Sequence, residues 1–176
     1  MCLINQEKLF ILAWIFIDGI MENNLERFLD RSKNSKTLVK DSEKCAACGV
    51  CELACSLVHE GSTSRTFSRI NVNYEPFRSE VEFEVCEQCK IPSCYLACPL
   101  QDEALCIDTE TGVKYIDVSK CIGCGECVEA CPFDPPKIKF DESEEIAYKC
   151  DLCIDRDAGP ACVEYCPSDA LEVGEV

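Results

Sequence analysis

The sequence predicts an α+β protein in which short β-hairpins and short helices alternate with cysteine loops. Three observations predict it. Of the 18 cysteines, all but Cys2 and Cys106 fall into four sets that open and close with the same spacing. A proline follows the last cysteine of three sets, at Pro99, Pro132 and Pro167, with Ser56 in that place in the first. Short runs of alternating polar and apolar residues, broken by turn residues, connect one set to the next.

Along the chain the sets are Cys45, Cys48, Cys51, Cys55; then Cys86, Cys89, Cys94, Cys98; then Cys121, Cys124, Cys127, Cys131; then Cys150, Cys153, Cys162, Cys166. The first and third are spaced C-x2-C-x2-C-x3-C, the second widens its middle gap to four residues and the fourth to eight. These are internal repeats, each a cysteine loop, a helical turn ending at the fourth cysteine and a hairpin. The hairpins are expected in RINVNYEPFRSEVEFEV, in ALCIDTETGVKYID around its Thr-Gly turn, and in PKIKFDESEEIAY. TLVKDSEKCAACGVC before the first set resembles VKYIDVSKCIGCGEC before the third, sharing Asp, then Lys three residues on, then Cys. CPSDALEV at the end resembles CPLQDEALCID after the second set. The first unit therefore has an entering strand and the last a leaving strand, and the two are expected to pair. His59 reads as a helix-end residue, with Gly61 as its cap.

At 176 residues the chain fits one compact domain or two small fused modules. Its hydrophobic fraction of 47% includes the cysteines, so the aliphatic core is smaller than that figure implies. Acidic residues outnumber basic ones by 33 to 17, giving a net charge of −16, which argues against a phosphate-backbone partner. The acidity serves solubility or a docking face for a basic redox partner. LFILAWIFI, at 9–17, is too short to span a bilayer, which needs about twenty apolar residues. Nor does it make a good signal peptide, since Glu7 and Lys8 precede it and no small-x-small cleavage site follows. Met21 opens a polar stretch, so residues 1–20 are either an untranslated upstream extension or a docking helix. A cytoplasmic location is expected.

Three thiolates at x2 intervals can wrap three corners of one cubane 4Fe-4S cluster. In a C-x2-C-x2-C-x3-C-P run the fourth lies a helical turn away and ligates the other cluster of a pair. Sixteen such thiolates are expected to hold four 4Fe-4S clusters in two pairs. Each oxidised cluster with its thiolates carries about −2, which takes the loaded chain towards about −24. Gly123 and Gly125 either let backbone N–H groups approach inorganic sulfur or serve a plain turn. Zinc fits poorly, because its all-thiolate sites use cysteine pairs and these sets carry further cysteines at x2 and x3. Disulfides fit no better, since cysteines two residues apart are cramped partners. One histidine rules out a Rieske pair, and no C-x-x-C-H occurs for covalent haem. Cys106 reads as a buried small hydrophobe, and Trp14 and its aromatic neighbours as packing. Lys149 and Arg156 read as solvated surface cations, with tuning of a cluster's potential as the other reading. There is no G-x-G-x-x-G, P-loop or nucleophile with a base beside it, so no substrate site is expected.

CEQCKIPSCYLACP, KCIGCGECVEACP and KCDLCIDRDAGPACVEYCPSDAL resemble the four-cluster iron-sulfur subunits of the dimethyl sulfoxide reductase and formate dehydrogenase type, over about residues 38–173. CELACSLVHEG is more similar to the small ferredoxin-like subunits that accompany carbon monoxide dehydrogenase or tungsten-pterin aldehyde oxidoreductases. The resemblance implies two fused bacterial ferredoxin-like modules: 38–80 with 140–176 as the outer one, 81–139 as the inner one, after an N-terminal extension at 1–37. Carried onto this chain, one cluster takes Cys45, Cys48, Cys51 and Cys166, and its mate Cys150, Cys153, Cys162 and Cys55. The inner pair takes Cys86, Cys89, Cys94 with Cys131, and Cys121, Cys124, Cys127 with Cys98. Ser56 in place of proline and the eight-residue gap before Cys162 depart from the family pattern without removing a ligand. The chain stops at Val176 without the long tail or anchor of some members, so any membrane attachment is expected through a partner. The expectation is a non-catalytic subunit of anaerobic metabolism. It would relay single electrons between a large catalytic oxidoreductase subunit, of molybdenum- or tungsten-pterin type, and a second donor or acceptor. The rivals are a free-standing polyferredoxin serving several reductases, a ferredoxin-like subunit of carbon monoxide dehydrogenase or hydrogenase, and a zinc-stabilised interaction module.

Overall fold

A computed structural model describes residues 35–175; the expectations for residues 1–34, including Trp14 and Cys2, lie outside the described residues. Among the described residues the architecture is α+β, with four two-stranded antiparallel sheets and four short helices. In order these are β1 (Lys36–Lys40), α1 (Val50–Glu60), β2 (Ile70–Glu75), β3 (Glu80–Val85), α2 (Ser93–Ala97) and β4 (Leu105–Ile107). There follow β5 (Lys114–Ile116), α3 (Glu126–Glu129), β6 (Lys139–Asp141), β7 (Ile146–Tyr148), α4 (Ala161–Glu164) and β8 (Leu171–Glu175).

The three expected hairpins form as β2–β3, β4–β5 and β6–β7, and the two ends meet as β1–β8, Lys36 opposite Glu175 and Lys40 opposite Leu171. Alternation explains their faces. Ile70 opposite Val85 and Val72 opposite Phe83 bury one side of β2–β3, while Asn73 and Glu84 on the other remain wet and share a 2.7 Å hydrogen bond. The repeated Asp-x-x-Lys-Cys is a turn device. Asp41 Oδ1 accepts from the N–H groups of Glu43 and Lys44, at 3.0 and 3.1 Å, and Asp117 Oδ1 accepts from Ser119 N–H at 3.1 Å. The lysines fold back onto these aspartates, Lys44 at 3.4 Å and Lys120 at 3.3 Å. Each turn delivers the chain into a cysteine loop.

Helix length follows the residue after the fourth cysteine. Proline there lacks an N–H and disfavours helix in the residue before it, so α2, α3 and α4 end just ahead of Cys98, Cys131 and Cys166. Ser56 carries no such restriction, and α1 runs on for another turn until Gly61, in the left-handed conformation at φ 67°, closes it with its N–H on Leu57 O at 3.0 Å. Ser56 is fully buried, donates through Oγ to Leu53 O and accepts from Ser64 N–H at 2.8 Å. Restoring the repeat with Ser56→Pro is therefore expected to destabilise the protein by about 3 kcal/mol or more. Thermal unfolding followed by circular dichroism checks this; an unchanged midpoint refutes it.

α1 packs against α4, and α2 against α3. The core is correspondingly in two parts. Leu38, Ile70, Val72, Phe83, Val85, Leu152 and Leu171 gather with Cys51, Cys55, Cys86, Cys150 and Cys162 in one. Tyr95, Leu105, Ile107, Ile138 and Ala147 gather with Cys127 in the other.

Candidate metal centres

Cysteines of different sets share cavity walls. Cys121, Cys124 and Cys127 line one cavity with Cys98, beside Leu105 and Ile116, about 360 Å³ including its opening to solvent. Cys86, Cys89 and Cys94 line another with Cys131, about 370 Å³. Cys45, Cys48 and Cys51 line a third with Cys166, about 290 Å³. The remaining four, Cys55, Cys150, Cys153 and Cys162, are all buried, and Cys162 feels Cys55 and Cys153 most strongly of its cysteine neighbours. The helices produce this exchange. Cys51 and Cys55 stand one turn apart on α1, so the first serves the cavity of its own loop while the second reaches the helix of the last set.

The sulfurs receive backbone N–H groups: Ala47 to Cys45 at 3.4 Å, Arg69 to Cys55 at 3.3 Å, Lys137 to Cys131 at 3.3 Å, Ala147 to Cys121 at 3.5 Å and Ala170 to Cys166 at 3.3 Å. Such bonds favour thiolate over thiol. Burial acts against them. It pushes Cys51 up to about 12, helped by the neighbouring Glu52 carboxylate, and Cys127 up to about 12, helped by Cys94 and Cys121. Cys94 rises to about 11 by burial, with Lys149 pulling the other way. Buried cysteines raised in this way give up their protons when a metal ion binds them.

His59 sits at the end of α1, and its Nε2 lies 3.4 Å from Asp151 Oδ1 and 3.7 Å from Cys153 Sγ. Arg69 completes the group, with Nη1 2.6 Å from Asp151 Oδ2. Cys153 ties this cluster to the fourth sulfur group. Gly123 has a stricter role than sulfur access, because at φ 66° a Cβ would stand 2.1 Å from Glu145 O on the β6–β7 turn. Gly125, at φ 77°, has open space around it. Cys106 is half-buried on β4 rather than a core residue, with Sγ 3.4 Å from Glu103 O.

Lys149 is not a surface cation: it is 2% exposed. Arg156 is half-exposed, bonded to Gly159 O and Glu164 Oε2, both at 2.6 Å. Beside Lys149 lies a polar node absent from the sequence expectations. Lys114 Nζ donates to Ser35 Oγ and Gln88 O, and Lys149 Nζ to Lys114 O and Cys150 O. Gln88 Nε2 donates to Lys114 O and Cys150 O at 3.1 and 2.8 Å, and its Oε1 accepts from Lys114 N–H at 2.7 Å. Burial, then the Lys149 charge, lowers Lys114 to about 8. For Lys149 burial also works against the charge, but Cys86, Cys94 and Cys150 outweigh it and raise the pKa. One signal for Lys114 was available: it shares a strand face with Ile116, opposite the buried Leu105 and Ile107. Gln88 and Ser35 had none.

Cavities walled by four cysteines and furnished with N–H donors, one of them facing buried ammonium groups, fit an anionic sulfur-ligated metal group. A small α+β chain organised this way is an iron-sulfur protein. Residues 78–176 match the family described as 4Fe-4S dicluster domain, and residues 42–61 the one described as 4Fe-4S binding domain. The chain belongs to the 4Fe-4S dicluster domain family. It is 40% identical over 134 residues to the aliphatic sulfonate oxidoreductase, polyferredoxin-like subunit of Pyrococcus furiosus, covering 74% of this chain and 73% of that one. It is 30% identical over 155 residues to the thiosulfate reductase electron transfer subunit PhsB of Salmonella typhi, covering 81% of this chain and 77% of that one. Among solved structures, the active site complex BamBC of benzoyl coenzyme A reductase matches over 80% of each chain at 25% identity and a TM-score of 0.46.

Proposed function

We propose that this chain is a non-catalytic electron-transfer subunit with four 4Fe-4S clusters, serving a large catalytic oxidoreductase of molybdenum- or tungsten-pterin type in the cytoplasm. The observation that carries it is the mixed walls: three cysteines of one set with the fourth of another, around each of three cavities. The ligand sets are Cys45, Cys48, Cys51, Cys166; Cys150, Cys153, Cys162, Cys55; Cys86, Cys89, Cys94, Cys131; and Cys121, Cys124, Cys127, Cys98. The packing of α1 on α4 and α2 on α3, with β1 paired to β8, supports an outer module of 38–80 with 140–176 and an inner module of 81–139. The N-terminal 1–37 lies before both.

A 4Fe-4S cluster, when bound, takes up and gives back one electron without bond cleavage. The chain's residues supply the rest. Cysteine sulfurs fix position, backbone N–H groups stabilise the negative sulfur, and Leu105, Ile116, Val72 and Phe83 keep water from the cavity walls. Among the described residues no helix is long and apolar enough to cross a membrane. The two relatives named above bear electron-transfer or polyferredoxin names within oxidoreductases, which supports the subunit reading.

Anaerobic purification tests the proposal. About sixteen irons per chain with matching sulfide, and a large co-purifying subunit, are expected. Zinc without sulfide overturns the cluster reading. Full iron in a chain that runs alone, with salt-sensitive reduction by several reductases, replaces the subunit with a diffusing polyferredoxin.

A further inference from the structure

The cavity walled by Cys86, Cys89, Cys94 and Cys131 differs from the others in charge. Lys114, Lys137 and Lys149 line it together with one acid, Glu87, whereas among the described residues the cavity of Cys98, Cys121, Cys124 and Cys127 and that of Cys45, Cys48, Cys51 and Cys166 have no basic side chain in their walls. Near the fourth sulfur group the cations stand among acids. Arg69 pairs with Asp151 at 2.6 Å, and Lys139, which donates to Ser68 O and Asn71 Oδ1, feels the Cys55 sulfur first and then the carboxylates of Glu84 and Glu52.

Lys114 and Lys149 are 1% and 2% exposed; the oxygens to which both ammonium groups donate are neutral, and Lys149 donates to the Cys86 sulfur as well. A buried charge held by neutral groups alone is costly unless an opposite charge lies beside it. The sulfurs that act on Lys114 are those of Cys86, Cys89 and Cys94, and those that act on Lys149 are led by Cys86 and Cys94. Gln88, on the loop between Cys86 and Cys89, holds the Lys114 backbone on both sides, so the ammonium groups are fixed rather than free to follow solvent.

We propose that Lys149 and Lys114 make the cluster held by Cys86, Cys89, Cys94 and Cys131 the first of the four to be reduced, so that this site stores the electron between transfers. The inference rests on the cluster reading above. Reduction there adds one electron from a one-electron donor protein and takes the charge from about −2 to −3, with no bond made or broken. Two fixed positive charges in a dry site favour the more negative state. Lys149 and Lys114 are positioning residues and touch no substrate.

The test is an anaerobic redox titration of the whole chain by dithionite, followed by electron paramagnetic resonance. In the unaltered protein, the first component to appear is expected to be the one missing from Cys89→Ala, or displaced in Cys89→Ser. Lys149→Met is expected to lower the reduction equilibrium constant of that component at least tenfold, which is 59 mV for one electron. Lys149→Arg, which keeps the charge, is expected to leave it within threefold, and Lys149→Gln, which keeps donors for the carbonyls of Lys114 and Cys150, to follow Met. A purely structural lysine would not separate Arg from Gln in this way. The inference fails if four components titrate and the first is not the Cys89-dependent one, or if the largest shift in Lys149→Met falls on another component. If no component titrates at all, the cluster reading falls first and this inference with it.

Discussion

Stripping the iron from anaerobically purified protein will unfold it, with loss of the near-ultraviolet circular dichroism signal and of any cooperative thermal transition. No described element is built to stand alone. α2, α3 and α4 have five, four and four residues, and isolated helices below about 12–15 residues are marginal in water. Each sheet has two strands, and an isolated hairpin is marginal as well. The aliphatic residues do not compensate, because Cys51, Cys55, Cys86, Cys127, Cys150, Cys153 and Cys162 stand among the buried apolar residues, and Cys51, Cys86 and Cys127 are inner walls of the three cavities. Two ammonium groups are buried beside the Cys86 wall and need the opposite charge that thiolate-bound metal supplies. Metal binding in such a chain is folding free energy. The expected loss is therefore the whole stability, on the order of 5–15 kcal/mol. Chelation under reducing, anaerobic conditions avoids disulfide formation in the stripped chain. A metal-free chain that still melts cooperatively would sink the idea that clusters form the core.

Gln88→Ala is expected to cost roughly 1–3 kcal/mol in the cluster-loaded protein. The side chain is 1% exposed and makes three hydrogen bonds, to Lys114 O at 3.1 Å, to Cys150 O at 2.8 Å and from Lys114 N–H at 2.7 Å. Alanine leaves the Lys114 N–H buried without its acceptor, at about 1–3 kcal/mol, and leaves Lys114 O and Cys150 O to Lys149 Nζ alone. It also unties a junction, since Gln88 joins the second cysteine loop, β5 and the start of the fourth set across sequence separations of 26 and 62 residues. Asn73→Ala, which removes an exposed amide bonded to Glu84, is the control and is expected to cost within about 0.5 kcal/mol. Anaerobic denaturant titrations of both variants decide it. A Gln88→Ala midpoint no lower than the control's would mean that the junction contributes nothing.

Much of the fold was legible because it is local. The hairpins follow from alternation and turn residues within a dozen positions, and the Asp-x-x-Lys-Cys repeat is a side-chain-capped turn whose partners are adjacent in sequence. The helix ends follow from Pro99, Pro132 and Pro167, and the longer α1 from Ser56, one residue away from its cause. The pairing of β1 with β8 was readable only because the repeats leave one unpaired strand at each end. Lys149 went the other way. A lysine beside a cysteine looks like a solvated cation, and nothing within several residues says that β5 and Gln88 close over it.

By itself the sequence determined the cysteine loops, the hairpins and the 4Fe-4S class, because thiol spacing of two or three residues sets what a loop can reach. It also set the acidic surface, which is a matter of counting. Only the tertiary structure decided that Cys98, Cys131 and Cys166 stand in the walls of other sets' cavities, a relation the family resemblance implied but spacing alone did not. It alone buried Lys114 and Lys149 against one quartet of sulfurs. Burial is the sum of contacts from segments far apart in the chain, so the charge environment of a cavity is written in no single stretch of it.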